Sequence, residues 1–237
     1  MTASDIPAVN RQLKKAFESA KAPIIDLVAV QTRDPFRVLL GTILSARTKD
    51  ACTAAACARL FSRVTAPDEL RAIPAAELER LIYPVGFFRD KTRHLKALPD
   101  ALDAKFGGVL PATVEELCEL PGVGRKTANL VVALGFNKPA ICVDVHVHRI
   151  TNRLGLLRTK TPYDTEMALR KILPTRYWIT WNSYLVSFGQ TSCFPRNPAC
   201  AECPVAAYCD SRQTGTNNTR ARRSLPSASK PHSRLQR

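Results

Sequence analysis

The sequence has no long apolar run and no targeting pattern. None of its apolar runs reaches the ~18–20 residues that a membrane-spanning helix needs. The N-terminal segment MTASDIPAVN lacks the basic stretch followed by an apolar stretch that marks a secretory signal. Asp5 also disfavours an organellar transit peptide, because those are poor in acids. We therefore expect a soluble, intracellular protein.

Acidic residues are scarce relative to basic ones. The 237 residues include 20 Asp and Glu against 35 Lys and Arg, a formal net charge of +15. A surplus of this size indicates a polyanionic partner, with nucleic acid as the first candidate, although charge that serves only solubility would give the same count. Apolar residues make up 45% of the chain, enough for a substantial core in one or two domains.

Strand patterns are also scarce, and helical patterns dominate. Buried and amphipathic periodicity, together with proline and acidic residues at helix starts, predicts helices over 35–46, from an Asp50 cap through Val64, after Pro67, after Pro74, over 89–106, over 163–173 and over 176–188. Pro99 lies inside one of these spans, where it should kink or split the helix. The fold class that we predict is all-α.

One segment fits two structures. Val143, Val145 and Val147 alternate with polar residues, which is a strand pattern. Asp144 is a good N-cap, however, and favours a helix through Leu154. Because the surrounding segments are helical, we predict a helix here.

A tight turn joins two further predicted helices. Thr113 and Glu116 form a capping box that starts a short helix to Leu120, and a second helix is predicted over 125–134. The turn between them, Pro121-Gly122-Val123-Gly124, permits close backbone approach and leaves free N–H groups up to Arg125 that suit an anion such as a DNA phosphate. A nucleotide-binding P-loop is excluded, because it needs a glycine directly before its lysine and a preceding strand.

Lys126 and Asp144 each allow a plain and a chemical interpretation. Lys126, in the first turn of its helix, could bind phosphate or act as a nucleophile, for which its amine must first lose a proton. Asp144 is fully explained as a helix cap. From these residues alone both alternatives stay open.

Four cysteines fall close together near the end of the predicted helices: Cys193, Cys200, Cys203 and Cys209. Four thiolates in so short a segment suit one zinc ion or one [4Fe–4S] cluster. Zinc sites usually show two paired knuckles, whereas here one Cys-x2-Cys pair has unequal flanking gaps, which favours the cluster. The remaining cysteines, Cys52, Cys57, Cys118 and Cys142, are interpreted as small core residues.

Two basic features follow from this segment. Arg196 lies in the proline-stiffened gap between the first two cysteines and is a candidate phosphate contact or a plain surface arginine. Residues 211–237 are rich in Ser, Thr, Asn, Pro and Arg and hold no acid, so we expect a basic disordered tail, with or without a role in DNA binding.

Taken together, the chain resembles the endonuclease III family of helix–hairpin–helix DNA glycosylases over about residues 10–210. The segments that carry the resemblance are Leu120-Pro-Gly-Val-Gly-Arg-Lys-Thr-Ala, Val143-Asp-Val-His-Val-His-Arg149, the four-cysteine loop, Leu44-Ser-Ala and Lys49-Asp50. Their order and spacing make it specific.

The resemblance implies a two-lobed fold with DNA in the cleft. A six-helix lobe with the hairpin would span 28–138, an iron–sulfur lobe would combine 1–27 with 139–210, and the cofactor would be a [4Fe–4S] cluster on the four cysteines. The implied activity is excision of oxidised pyrimidines from duplex DNA, with AP lyase activity. Lys126 would form a Schiff base and β-elimination would follow, aided by Asp144. A monomeric, cytoplasmic, nucleoid-associated prokaryotic protein is expected.

The sequence also departs from the family. Arg47 stands where many relatives have glutamine in the segment that fills the gap left by the flipped base, and Val145 and His148 replace a threonine and an aromatic residue. These departures leave the lesion and opposite-base preference open. The alternative functions are a monofunctional mismatch or adenine glycosylase, which usually lacks the hairpin lysine, and a DNA-binding protein that does not cut.

Overall fold

The computed structural model describes residues 1–20 and 22–212. Within them the chain forms helices and turns without a β-strand. The α-helices are α1 (Ile6–Glu18), α2 (Ile24–Thr32), α3 (Pro35–Ser45), α4 (Asp50–Phe61), α5 (Pro67–Ala72), α6 (Ala75–Ile82), α7 (Phe88–Phe106), α8 (Val114–Leu117), α9 (Arg125–Leu130), α10 (Val145–Leu154), α11 (Pro162–Ile172) and α12 (Trp178–Thr191). A π-helical turn, Val131–Gly135, extends α9, and short 3-10 turns lie at Ala3–Asp5, Thr175–Tyr177 and Ala206–Tyr208. The predicted all-α class is confirmed for these residues.

Proline and short polar side chains set the helix starts, as the sequence predicts. Asp34 precedes Pro35 and accepts a hydrogen bond from the Phe36 backbone N–H at 2.9 Å, which starts α3. Thr113 accepts from the Glu116 backbone N–H at 3.3 Å and starts α8. Each cap satisfies an N–H that the helix itself leaves unpaired.

Several predicted helices differ from the structure in their bounds: α8 ends at Leu117 and not at Leu120, and α12 spans Trp178–Thr191 where 176–188 was predicted. Asp50 is the first residue of α4, after Lys49 as N-cap, and α4 ends at Phe61 before the predicted Val64. The helix α7 continues through Pro99 and is not split there. Proline removes one helical hydrogen bond, but Leu95, Leu98 and Leu102 on the same helix are fully buried, so packing offsets that loss.

The buried side chains form two hydrophobic cores. The first draws on α2 to α9, with Leu39, Leu40, Leu60, Leu95 and Leu117 fully buried. It packs α3 at its centre, since eight of the eleven α3 residues are buried. This core carries the hairpin and the start of α9.

The second core combines the N-terminal helix with the last helices. The fully or nearly fully buried side chains here include Ile6, Leu13, Val147, Trp181 and Leu185, from α1, α10 and α12. Two lobes follow from two cores, because each core is a separately packed cluster. The exact division at residues 28–138 stays a prediction.

The hairpin depends on glycine at one position. Gly122 has φ of 75°, and a Cβ there would lie 2.8–2.9 Å from the His94 ring of α7. Because both the left-handed backbone and the close contact exclude a side chain, Gly122 allows the turn to pack directly on α7. The turn is thereby held in place by the first core.

The ambiguous segment after residue 142 is helical. Asp144 caps α10 through its side chain, so the predicted helix is confirmed over its strand alternative. In residues 1–20 and 22–212, no helix is long and apolar enough to cross a membrane. Of the predicted basic tail, residues 213–237 lie outside the described part of the chain.

Candidate functional site

Lys126 and Asp144 line the same pocket, which has a volume of about 240 Å³. Its other polar walls come from both cores and comprise Asp26, Ser45, Thr48, Asp50, His146, Asn182 and Gln190. The start of α9 supplies the lysine and the start of α10 supplies the aspartate. The structure thus brings together the two residues that the sequence predicts as catalytic, among additional carboxylates.

The two residues are held in different ways. Lys126 is exposed, so its amine is accessible to a large substrate. Asp144 Oδ1 accepts hydrogen bonds from the backbone N–H groups of His146 and Val147, both at 2.9 Å. In the described residues no hydrogen bond reaches the other oxygen, Oδ2. The cap therefore fixes the carboxylate while leaving one oxygen free to act.

Asp26 is a second carboxyl group of this pocket. Burial raises the pKa of Asp26 to about 6, and a hydrogen bond from Ser183 offsets only part of that rise. The negative charge of Asp50 adds to the rise. A carboxyl group with such a pKa exchanges its proton near neutral pH, which is the property of a general acid or base.

His146 is the imidazole of the pocket. Its Nδ1 lies 3.1 Å from Arg149 Nη2, and because a guanidinium only donates, Nδ1 accepts and the ring proton is on Nε2. Burial lowers the pKa of His146. Gly189 of α12 makes room for this pair, since a Cβ there would lie 2.2 Å from His146 Nδ1. The pocket therefore holds a neutral histidine near neutral pH.

Arg47 projects from the loop between α3 and α4. It is exposed, has a left-handed backbone with φ of 54°, and places its guanidinium 5.4 Å from the ring centroid of Phe87. Phe87 is 59% exposed and also left-handed, with φ of 57°. Two planar groups are thus presented side by side to solvent, where they can stack on bases.

Lys91 anchors the Arg47 loop from beneath. Its Nζ is buried and donates to the carbonyl oxygens of Leu44 and Ala46, both at 2.7 Å, and to Thr48 Oγ1 at 3.2 Å. Burial lowers the pKa of Lys91 to about 8. Because three acceptors surround the ammonium, the loop position is set by α7.

The hairpin turn leaves backbone donors available. In the described residues no hydrogen bond uses the N–H of Gly122 or Gly124, and both glycines are exposed. Val123 is buried and anchors the turn. The Arg125 guanidinium, by contrast, is committed to Glu166 through Nε at 3.0 Å and Nη2 at 2.8 Å. Only the backbone N–H of Arg125 therefore remains available to bind a DNA phosphate, the role that the sequence analysis predicts for this turn.

The four cysteines of the loop surround one cavity of about 130 Å³. Cys193, Cys200, Cys203 and Cys209 all line it, with Phe188 and Val205 among its apolar walls. Arg153 Nη1 lies 3.5 Å from Cys193 Sγ, and Arg153 also donates to the carbonyl oxygens of Phe194 and Pro195 at 2.7 Å. Arg153 thus holds the segment between Cys193 and Cys200 in place, and Arg196 in that segment is exposed.

The donor set of this cavity is four cysteine side chains. An iron–sulfur cluster is held by four cysteine thiolates. The residues present therefore fit a [4Fe–4S] cluster.

The remaining cysteines divide by environment. Cys57 and Cys142 are buried, as predicted, and Cys52 is partly buried. The prediction is wrong for Cys118, which is exposed at the end of α8. Its helix has only four residues and buries Val114 and Leu117, so the next position faces solvent.

Sequence reasoning missed several residues of the site. Asp26 gives a faint signal as the one acid in the apolar α2, and Phe87 gives none, because isolated exposed aromatics are common. His146 lies two residues after Asp144, but nothing in the sequence places its ring in the same pocket as Lys126. Only the fold places these side chains beside Lys126 or Arg47.

Fold and site together define a class of protein. A family model for the HhH-GPD superfamily base excision DNA repair proteins matches residues 40–175, more than half of the chain. A second model, the iron–sulfur binding domain of endonuclease III, matches residues 193–209. The chain is a helix–hairpin–helix DNA glycosylase of base excision repair.

Individual relatives show which family of this superfamily the chain is most similar to. Endonuclease III of Thermotoga maritima is 46% identical over 190 residues, covering 80% of this chain and 89% of that protein. Endonuclease III-like protein 1 of Gallus gallus is 46% identical over 171 residues, covering 71% of this chain but only 61% of that protein. A solved structure of a trapped endonuclease III–DNA covalent intermediate has a TM-score of 0.79 and 36% identity, covering 89% of this chain and 97% of that one.

The chain belongs to the endonuclease III family. It is accordingly a DNA glycosylase with AP lyase activity, and its cofactor is a [4Fe–4S] cluster. The predicted two-lobed helix–hairpin–helix fold is confirmed.

Proposed function

We propose that the enzyme excises oxidised pyrimidines from duplex DNA and cuts the strand through a Schiff base on Lys126. The observation that carries the proposal is the shared pocket of Lys126 and Asp144. An exposed amine and a fixed carboxylate at one pocket are the groups that attack on a sugar carbon requires. A duplex with a damaged base is the substrate, and +15 charges favour that polyanion.

DNA binding rests on three surfaces. The free N–H groups at Gly122 and Gly124, with the Arg125 backbone, would bind a phosphate without reading sequence. Val123 packs inside and holds that turn. Arg196, on the loop clamped by Arg153, would contact a further phosphate.

Arg47 would fill the gap that the flipped base leaves. Flipping costs a few kcal/mol and is easier for a weakly stacked lesion. Arg47 and Phe87 are adjacent and exposed, so they would stack on the bases around the gap and offset this cost. Because arginine donates more hydrogen bonds than glutamine, it would alter the opposite-base preference.

The chemistry would proceed in two steps. The neutral Lys126 Nζ attacks the sugar C1′, the bond from C1′ to the base breaks, and the base leaves with the bonding electrons and takes up a proton. The aminal that remains at C1′ then opens: the C1′–O4′ bond breaks, O4′ takes up a proton, and an iminium forms between C1′ and Nζ. Loss of a C2′ proton allows β-elimination, in which the bond from C3′ to its phosphate oxygen breaks and the phosphate leaves, cutting the strand 3′ to the lesion. Asp144 would accept the lysine proton or stabilise positive charge on the sugar, using its free Oδ2.

The cysteines would hold the cluster through their four thiolates: Cys193, Cys200, Cys203 and Cys209. A bound iron–sulfur cluster contributes folding free energy by cross-linking its loop. Arg153 would orient that loop, because it bonds both Cys193 and the carbonyls that follow. No step of base excision needs the cluster.

The proposal also includes the organisation of the chain. Residues 28–138 would form the hairpin lobe, 1–27 and 139–210 the cluster lobe, and the enzyme would act as a monomer. The enzyme would be cytoplasmic, which the bacterial relative from Thermotoga maritima supports. Association with the nucleoid of a prokaryote is a further part of the proposal.

Borohydride trapping tests the function. A duplex with one oxidised pyrimidine is incubated with wild type, Lys126→Ala and, as a control, the exposed lysine variant Lys138→Ala. Wild type and Lys138→Ala should form a covalent adduct and Lys126→Ala should not, because borohydride reduces the Schiff base to a stable amine. Base release without trapping in wild type would instead indicate a monofunctional glycosylase with water as nucleophile. Binding without release would indicate a protein that does not cut.

A further inference from the structure

A closed ring of polar contacts links the start of α9 to α11. Glu166 of α11 has a side chain only 5% exposed and accepts from the Arg125 guanidinium at 2.8 Å and 3.0 Å. Arg170, one helical turn further along α11, reaches the same Glu166 Oε1 at 2.9 Å. One buried carboxylate thus pairs with two guanidinium groups.

Asn129 completes the ring. Arg170 Nη2 donates to Asn129 Oδ1 at 3.2 Å, and Asn129 Nδ2 donates to the Arg125 carbonyl oxygen at 3.0 Å. Asn129 is fully buried. Because the ring returns to the Arg125 backbone, it fixes the side chain and the main chain of that residue together.

The ring also bridges the two cores. Leu169, next to Arg170, is fully buried in the second core, whereas Ala128, next to Asn129, is fully buried in the first. A buried ion pair adds little net stability compared with apolar packing, so stability alone is a weak reason for it. Its position gives a stronger reason, since Lys126 directly follows Arg125.

We infer that Glu166 is a positioning residue that holds the first turn of α9, and with it Lys126, in the geometry for attack. The inference rests on the proposed role of Lys126. The lysine side chain is long and exposed, so the direction in which it leaves the helix depends on the backbone at its base. A misplacement of about 1 Å at a reacting group can cost about a hundredfold in rate.

Glu115 provides a matched control. It also pairs with Arg125, at 3.8 Å, but its side chain is 77% exposed and it takes no part in the ring. Removing its charge removes a carboxylate from the same arginine without opening the ring. Surface pairs of this kind contribute little.

The experiment measures two quantities on the full-length protein with its cluster. The first is the single-turnover rate of borohydride trapping on an abasic-site duplex, and the second is the Kd for a duplex with a tetrahydrofuran site that cannot react. The variants are Glu166→Gln, Arg170→Gln, Glu115→Gln and Lys126→Ala. Cluster absorbance and thermal midpoint report the folded fraction, to which each rate is normalised.

We expect Glu166→Gln to trap about tenfold more slowly or worse, with a Kd within about threefold of wild type, because Arg125 keeps its charge. Arg170→Gln opens the ring but leaves the Arg125 pair, so its rate should fall by about threefold. Glu115→Gln should match wild type. A purely structural role would change the folded fraction but neither quantity.

The outcomes separate the two proposals. Wild-type rates in folded Glu166→Gln and Arg170→Gln would overturn the positioning role while leaving Lys126 as nucleophile. If Glu166→Gln does not fold, a wild-type rate in Arg170→Gln overturns it in the same way. If wild type traps nothing, or Lys126→Ala traps as well as wild type, the proposed function fails and the inference fails with it.

Discussion

Asp144 caps α10 through Oδ1 while its carboxylate lines the pocket that Lys126 also lines. One side chain therefore has a structural and a chemical task, and two substitutions separate them. Asn also caps helices, so Asp144→Asn should keep its free energy of unfolding within about 0.5 kcal/mol of wild type, whereas Asp144→Ala should lose about 1 kcal/mol.

The catalytic rate should respond to these two substitutions differently from the free energy of unfolding. Both variants remove the charge, so both should slow the trapping reaction by at least about a hundredfold. Denaturant unfolding and single-turnover trapping on the same preparations make the comparison. A stable Asp144→Asn protein with wild-type rate would show that the residue serves only as a cap.

Asp26 should make the wild-type protein less stable as pH rises. The pKa of Asp26 is raised from 3.8 to about 6 by burial, so the folded state disfavours its charged form. Stability from the protonated form is complete below about pH 4 and is lost as pH rises through about 6, by at most about 3 kcal/mol.

The neutral variant Asp26→Asn should therefore be more stable than wild type at pH 8, and its advantage should shrink towards pH 5. Thermal midpoints across this range provide the measurement, with a gain of about 4 °C expected at pH 8. Asp68→Asn is the control, because that carboxylate is 87% exposed. An equal gain at both pH values would mean that Asp26 is not buried in its charged form.

Arg47→Ala should affect base flipping more than strand cutting. Removal of Arg47 leaves Phe87 without its stacked partner, and the gap in the duplex is then filled less well. Excision of an oxidised pyrimidine should slow by about tenfold, whereas cutting at a preformed abasic site, which needs no base unstacked, should change less.

Arg89→Ala is the matched control for Arg47→Ala. Arg89 is also an exposed arginine over an aromatic ring, that of Phe88, but it belongs to α7 and not to the α3–α4 loop. For each variant, the rate on the duplex with an oxidised pyrimidine is divided by the rate on the abasic-site duplex, and this ratio is compared with that of wild type. Equal losses on both substrates in Arg47→Ala would indicate a general DNA contact instead.

Cys203→Ser should release the cluster, and Cys118→Ser should not. Cys203 lines the cavity of the four-cysteine loop, whereas Cys118 is exposed on the hairpin lobe. Wild type and Cys118→Ser should be brown and contain iron, and Cys203→Ser should lose iron and unfold at lower temperature. Stoichiometric zinc without iron in wild type would contradict the cluster assignment.

Local signals made the helices and the cysteine loop predictable. A few neighbouring residues are enough to indicate where a helix begins. The examples are Asp34-Pro35, the Thr113 capping box and the Asp144 cap. The hairpin follows from its glycines for the same reason. These features depend on short-range chemistry, which the sequence displays directly.

Long-range relationships were not predictable in this way. The residues around Glu166 in the sequence do not indicate that its side chain pairs with Arg125. The apolar residues around Asp26 also do not indicate that Asp26 shares a pocket with Lys126. The continuity of α7 through Pro99 likewise depends on packing from other helices. Such relationships depend on tertiary structure, so they can be identified only once the fold is known.

The most direct test of the central claim is to map the trapped adduct. Wild type is reduced with borohydride on an abasic-site duplex, digested, and sequenced by mass spectrometry. The modified residue should be Lys126, in the peptide that contains Thr127-Ala128-Asn129. An adduct on another amine, such as Lys49 or the N-terminal amine of Met1, would contradict the assignment of Lys126 as the nucleophile.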